Sequence, residues 1–229
     1  MMTLQEAIKQ RHSVRQYIHK PLSEDVIKIL QEKVDECNPK GRLHIQLVTN
    51  ETRAFTGIMV YGKFHGVENY FVMVGKKEGG LDERVGYYGE LLVLLAQTLG
   101  LNTCWVGMSY RKVSDAYQVD RDEKLVCMIA LGYGETQGAC HKIKTIEQVS
   151  NATGTSPEWF RRGVEAALLA PTAINQQKFS FLLQPQEENK KPKVLAKKGF
   201  SMVGYTKLDL GIAKYNFEIG AGKENFDWV

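Results

Sequence analysis

A chain of 229 residues can bury a substantial core, and its net charge of +4 suits small anionic ligands but falls short of the basic face that a nucleic-acid binder needs. With 43% hydrophobic and 24% charged residues the composition is that of an ordinary globular protein, and no apolar run reaches the roughly 18–20 residues of a membrane span. Four scattered cysteines without CxxC spacing, and an N-terminus without an apolar h-region, exclude a zinc ribbon, a disulfide scaffold and a secretory signal, so a cytoplasmic protein with reduced thiols and no metal is expected.

Thr3-Leu4-Gln5-Glu6 reads as a capping box, with Leu4, Ala7 and Ile8 forming the apolar side of a first helix. That helix runs into Arg11-His12-Ser13-Val14-Arg15. Two guanidiniums four residues apart with a hydroxyl between them offer the forked donors that a phosphate accepts. A solvated helix end, where basic residues suit the dipole, fits the same stretch. Ser23 opens a second helix with Val26, Ile27, Leu30 and Val34 inward, ending near Asn38–Gly41, and Leu43–Val48 alternates as a strand. Arg53–Gly66 shows no clear period; Gly57, Gly62 and Gly66 predict turns and close backbone approach. Tyr70–Val74 is a second strand, bounded by Gly75 and a turn-rich stretch to Gly80. Arg84–Leu99 is apolar around most of its circumference, which predicts a buried central helix ended by Gly100. Leu101–Met108 is a short extended piece in which Gly107 would let a ligand approach the backbone. Leu125–Leu131 is a third strand leading to Gly132-Tyr133-Gly134, with Lys142 and Lys144 beyond it.

Asn151–Ser156 reads as a linker between residues 1–150 and 151–229. Ser156 is placed to cap the next helix, with Pro157 at its first position and Phe160, Val164, Ala167 and Leu168 on one face. Pro171 stops that helix, and Phe179–Leu183 is a buried strand. Between them, Pro171–Gln177 leaves backbone donors and acceptors to neither element, which suits the edge of a planar heterocycle, and Asn175 adds one of each on a single amide. A plain helix-to-strand connection fits as well. Pro185–Pro192 and the Lys190-Lys191-Pro192-Lys193 run read as solvated surface. A weak internal repeat relates Gly89–Gly100 to Gly211–Gly222 at one constant offset, and Glu32–Val48 to Glu165–Leu183 in pattern.

Four of these stretches together resemble the nitroreductase family of FMN-dependent oxidoreductases: Arg11–Arg15, Gly100–Gly107, Gly132–Gly134, and Ala170-Pro171-Thr172-Ala173-Ile174-Asn175-Gln176. The order departs from the family's usual one. Family members carry the Ala-Pro-Ser-Ala-x-Asn element in the first half, where this chain reads Glu36-Cys37-Asn38-Pro39-Lys40-Gly41, and the motif stands only in the second. Because the family builds its flavin sites across a homodimer interface, the chain resembles a single-chain fused pseudo-dimer, the type called the putative TM nitroreductase group.

The resemblance implies an α+β fold, an antiparallel sheet flanked by helices, with a first half (1–150) and an abbreviated second half (151–229) related by a pseudo-twofold. It implies FMN as cofactor. Arg11, Ser13 and Arg15 would hold the phosphate and ribityl chain, His12 would contribute backbone, and Lys142 or Lys144 would add a cation. Val106, Gly107 and Met108 would offer amides to the reactive edge of the flavin, and Pro171, Thr172, Ala173 and Asn175 would pack on it and hydrogen-bond it from the other half. No nucleophile or acid–base dyad is implied, since the cofactor carries the chemistry. Hydride would pass from NAD(P)H to a nitroaromatic or quinone by a ping-pong mechanism. A non-catalytic flavin-binding protein is the alternative, and an FMN-free interaction domain a third reading. One flavin per chain is expected, since each half keeps only the element that the other lacks. The fusion would let the chain stand as a monomer, with a homodimer left open.

Overall fold

The computed structural model describes residues 2–56, 64–185 and 190–229; the turns expected at Gly57 and Gly62, and part of the expected Pro185–Pro192 loop, lie outside them. The Thr3–Glu6 capping box opens α1 (Leu4–Gln10), the Glu6 carboxylate accepting from the Thr3 amide at 2.8 Å. Ser23 caps α2 (Glu24–Gly41), which buries Leu30 and Val34 and ends at left-handed Arg42. The strand expected from Leu43 shortens to β1 (Gln46–Val48). The helix end takes the missing groups: Leu43 N donates to Asn38 O, and the Asn38 amide claims both N–H and C=O of Ile45 at 2.7 and 3.0 Å.

β2 (Asn69–Lys76), β3 (Asn102–Val106) and β4 (Glu123–Gly132) complete an antiparallel sheet of order β1-β2-β4-β3. The pleat sends Tyr70, Val72, Met128 and Ala130 to one face, where Val14, Tyr17 and Phe55 cover them, and Phe71, Met73, Ile129 and Leu131 to the other. Both faces are therefore buried. The second face carries α3 (Leu81–Thr98), which starts three residues before the expected Arg84 because Gly80, at φ 79°, turns the chain there.

After α4 (Ile146–Val149), α5 (Glu158–Leu168) begins at Pro157, whose ψ of 140° makes it the cap in place of Ser156. The Ser156 hydroxyl instead accepts from Thr153 N at 2.9 Å, and proline holds its predecessor out of the helix. β5 (Phe179–Leu183), β6 (Lys193–Lys198) and β7 (Asp227–Trp228) form a second sheet, antiparallel between β5 and β6 and parallel between β6 and β7. The lysine-rich β6 was not legible as a strand, since only Val194 of it is fully buried. No helix of the described residues is long and apolar enough to cross a membrane.

α6 (Thr206–Ala221) crosses α3 with the two backbones in contact. A Cβ on Gly86 would lie 2.0 Å from Leu208 O, and a Cβ on Gly211 would lie 2.0 Å from Glu83 O. The contacts are reciprocal: each glycine faces the carbonyl three residues before the other. The crossing thus pairs Gly211 with Gly86 and not with Gly89, its counterpart in the repeat. Gly89 lies against Trp105 and Met73 instead. Beside this crossing sits Glu90, fully buried, with Oε2 accepting from Trp105 Nε1 at 3.3 Å and Oε1 without a hydrogen-bond partner among the described residues. Burial pushes its pKa up to about 7, against the pull of the Arg11 charge.

Two outcomes follow for stability. Gly86→Ala or Gly211→Ala should each cost at least about 2–3 kcal/mol in chemical denaturation, whereas Gly79→Ala, with open space around it, should stay within about 1 kcal/mol. Glu90 carries a raised pKa in the folded state, so its contribution is full at acid pH and lost as pH rises through about 7. Glu90→Gln should therefore flatten the fall in stability between pH 5 and 8; an unchanged slope would contradict the assignment.

Candidate functional site

The chain leaves α1 at Arg11, which is extended (φ −71°, ψ 130°), and runs on beside β3. Val14 N donates to Thr103 O and Ile18 N to Tyr133 O, both at 3.0 Å. Extended backbone alternates its side chains, so Val14 enters the core while Arg11, Ser13 and Arg15 face one cleft. The neighbouring glycines are there for packing. A Cβ on Gly134 would meet Asn102 Oδ1 at 2.8 Å, and one on Gly66 would meet Tyr17 O at 2.1 Å. Arg11 is only 5% exposed, and its Nε has no hydrogen-bond partner among the described residues. Beside it His141 is half-buried, its Nε2 unpartnered and its pKa lowered mainly by burial.

The opposite wall is the loop 171–177. Ala173–Asn175 makes a single 3-10 turn, and Ile174, Asn175 and Gln177 all have positive φ. The loop is fastened from several sides. Asn175 Nδ2 and Gln177 Nε2 both donate to Lys142 O at 2.8 Å, Lys144 Nζ donates to Gln177 O at 2.6 Å, and Gln177 N donates to Thr172 Oγ1 at 3.0 Å. From α6, Asp209 accepts from Ala173 N at 3.0 Å and from Gln176 Nε2 at 2.6 Å. Asp209 is fully buried, and burial pushes its pKa up to about 6 despite those two hydrogen bonds.

Two adjoining pockets share Ser13, Arg15, Pro171, Thr172 and Ile174. One continues to Arg11, Ala139, His141 and Asn175; the other to Trp105, Val106, Gly107, Cys127, Ala173 and the start of α6 at Tyr205, Leu208, Asp209 and Ile212. The cleft is thus cationic at one end and largely apolar and aromatic at the other. Its far wall comes close at Gly107, where a Cβ would lie 2.6 Å from the Tyr205 hydroxyl.

Of the residues singled out from sequence, Arg11, Ser13, Arg15, Val106, Gly107, Pro171, Thr172, Ala173 and Asn175 line this cleft. His12, Met108, Lys142 and Lys144 line neither pocket. His12 Nε2 lies 3.8 Å from Cys140 Sγ, Met108 is 74% exposed, Lys142 offers its carbonyl to the loop, and the Lys144 ammonium is taken by Gln177. Sequence reasoning missed His141, which stands just before the more conspicuous Lys142 and Lys144, and Trp105, Tyr205 and Asp209. For the last two there was no signal, because only the helix crossing brings the start of α6 to β3. Among the described residues one group could hold a metal ion, His44, Asp120 and Glu123, and it lines neither pocket.

The family model described as Putative TM nitroreductase matches residues 3–221. The structure of a putative nitroreductase from Thermotoga maritima is 21% identical, with a TM-score of 0.63, over 97% of this chain and 85% of that one. A putative nitroreductase from Desulfovibrio desulfuricans, solved in complex with FMN, is 16% identical with a TM-score of 0.50, over 65% of this chain and 96% of that one. A nitroreductase family protein from Clostridium difficile is 13% identical with a TM-score of 0.51, over 67% and 99%. At these identities the structures establish the nitroreductase-like fold. No curated protein matches. The chain belongs to the putative TM nitroreductase family.

Proposed function

We propose that this protein is an FMN-dependent oxidoreductase that moves hydride from NAD(P)H to a small electron-poor acceptor, a nitroaromatic or a quinone, by a ping-pong mechanism. The observation that carries the reading is the buried Arg11, whose Nε has no partner and which opens into a cleft. A guanidinium so placed is costly unless an anion completes it. Arg15, the Ser13 hydroxyl and His141 stand at the same end, a donor set that fits a phosphate. At the other end, Trp105, Val106, Tyr205 and Leu208 provide apolar walls for a planar ring system, and the missing side chain of Gly107 makes room for the Tyr205 hydroxyl. No Gly-x-Gly-x-x-Gly turn joins a strand to a helix, so a mononucleotide fits better than a dinucleotide.

Bound FMN would supply the redox chemistry, taking hydride from the nicotinamide and giving it up to the acceptor. The chain's own contribution is position and electrostatics. Arg11 and Arg15 neutralise the phosphate and fix the long axis, and Pro171–Ala173 forms the wall opposite them. The Asn175 amide is occupied by Lys142 O and Gln177, so it serves by shaping the loop. Ile174, 78% exposed and lining both pockets, offers an apolar edge to a flat acceptor.

We further read the chain as a pseudo-dimer with one flavin site, made by Arg11–Arg15 of the first half and Pro171–Asn175 of the second. The reciprocal crossing of Gly86 and Gly211 supports this reading. So does the coverage of the two smaller relatives, 96% and 99% of which correspond to about two thirds of this chain. Four free cysteines, three of them buried, suit a cytoplasmic setting.

Arg15→Ala should weaken FMN by about tenfold or more in a fluorescence titration, the loss of one charge-assisted hydrogen bond; an unchanged Kd would count against the phosphate assignment. Anaerobic stopped-flow mixing of the FMN-loaded protein with NADH and with NADPH should bleach the flavin with at least one donor. Flavin that stays oxidised with both would leave a binding protein without turnover.

A further inference from the structure

The loop 171–177 is held in a conformation that its residues do not favour. Ile174, Asn175 and Gln177 have φ of 46°, 56° and 46°, in the left-handed region that is most costly for a β-branched residue such as Ile174. Such backbone persists only where its surroundings over-determine it, and it gathers at ligand clamps. On one side the fastenings are neutral backbone and amide groups together with the Lys144 ammonium. On the other stands one carboxylate, Asp209, with both oxygens accepting from the loop.

Asp209 is an unusual acid. It is fully buried and lines the cleft. Its two acceptor oxygens serve Ala173 N and Gln176 Nε2, and Gln176 in turn donates to Gly204 O at 3.0 Å, just before α6 begins. A buried carboxylate held only by neutral donors costs the fold stability when ionised. An asparagine would avoid the buried charge, but its NH2 would set a donor against Ala173 N or Gln176 Nε2, one of which would lose its acceptor. What an ionised carboxylate adds is two strong acceptors facing the same strained loop.

We propose that Asp209 is a positioning residue of the cleft: its ionised carboxylate, accepting from Ala173 and Gln176, sets the loop that walls the ligand, so loop order and ligand affinity rise with its ionisation while overall stability falls. The part that concerns ligand affinity rests on the FMN reading above; the part that concerns the loop does not.

The charged and titratable groups that line the cleft with it are Arg15, Cys127 of β4 and Tyr205 one turn earlier; from α3, Glu83 meets α6 at Gly211 and the charge of Asp82 reaches Tyr205. Asp82 is engaged by Lys124 at 3.3 Å and Glu83 by Lys214 at 2.8 Å. Burial outweighs the two hydrogen bonds and raises the pKa of Asp209 to about 6. A raised folded pKa contributes stability at acid pH that is lost as pH rises through about 6. The hydrogen bonds to the loop strengthen over the same interval, since a protonated carboxyl offers one acceptor where the carboxylate offers two. The two trends therefore oppose each other.

The test is hydrogen–deuterium exchange of the peptide spanning 171–177 in the full chain, from pH 5 to 8, corrected for intrinsic rates, alongside FMN titration and thermal melting. Wild-type protection should rise through about pH 6. Asp209→Asn should lower it by about tenfold at pH 8 and abolish the pH dependence. The same variant should weaken FMN by a similar factor, with a Tm at pH 8 equal to wild type or higher. Protection in Asp209→Asn that matches wild type, or a Tm that falls along with it, would overturn the proposal. Should that variant resist purification, Gln176→Ala reads the same coupling: its loop protection should fall about threefold, and unchanged protection overturns the proposal. If wild type binds no FMN at any pH, the proposed function fails, and the exchange measurement still decides the role of Asp209.

Discussion

The crossing of α3 and α6 at Gly86 and Gly211 is the constraint on which the rest depends. With no Cβ on either glycine the helices approach until backbone meets backbone, and this sets where the start of α6 arrives. Tyr205, Leu208, Asp209 and Ile212 are thereby carried to the end of β3, next to Trp105, Val106 and Gly107. A methyl group at either position would push α6 outward, and the cleft wall that α6 supplies would move with it. The core cluster around the crossing draws on residues from both parts of the chain, from Leu22 to Phe226, so neither part completes its packing alone.

Two buried acids mark the cost of building a cleft against such a core. Glu90 lies behind Trp105 and near Arg11; Asp209 lies under the loop opposite. Neither forms an ion pair within 4 Å among the described residues, and burial raises the pKa of each. Their surroundings differ in what they offer. Glu90 has one partnered oxygen and the field of a buried guanidinium, which suits charge balance with Arg11. Asp209 has both oxygens partnered by the loop, which suits geometry.

Much of the first half could be read from local chemistry. The capping box at Thr3, the stripe of α2 and the all-round apolar α3 each rest on one physical rule, and each is found. The alternation of Arg11, Ser13 and Arg15 was visible as a motif, and the strand-like backbone that gives all three one face supplies its reason. Failures came where two local preferences compete. Ser156 could cap a helix or close a turn, and the proline after it decided for the turn. Lys142 and Lys144 carried the expected charge, yet a strained loop claims the carbonyl of one and the ammonium of the other. Asp209 and Tyr205 were beyond reach, because a residue's place in a cleft far along the chain is fixed by a helix crossing and not by any pattern around it.

The account's central claim is that one chain assembles a single phosphate-to-ring cleft from its Arg11–Arg15 segment and its own 171–177 loop. A crystal structure of the protein grown with FMN tests it most directly. The account predicts one flavin per chain, its phosphate on Arg11 and Arg15 and its ring system beside Trp105, Gly107 and Pro171–Ala173 of the same molecule. A flavin shared between Arg11 of one molecule and the 171–177 loop of another, or two flavins per chain, would contradict it.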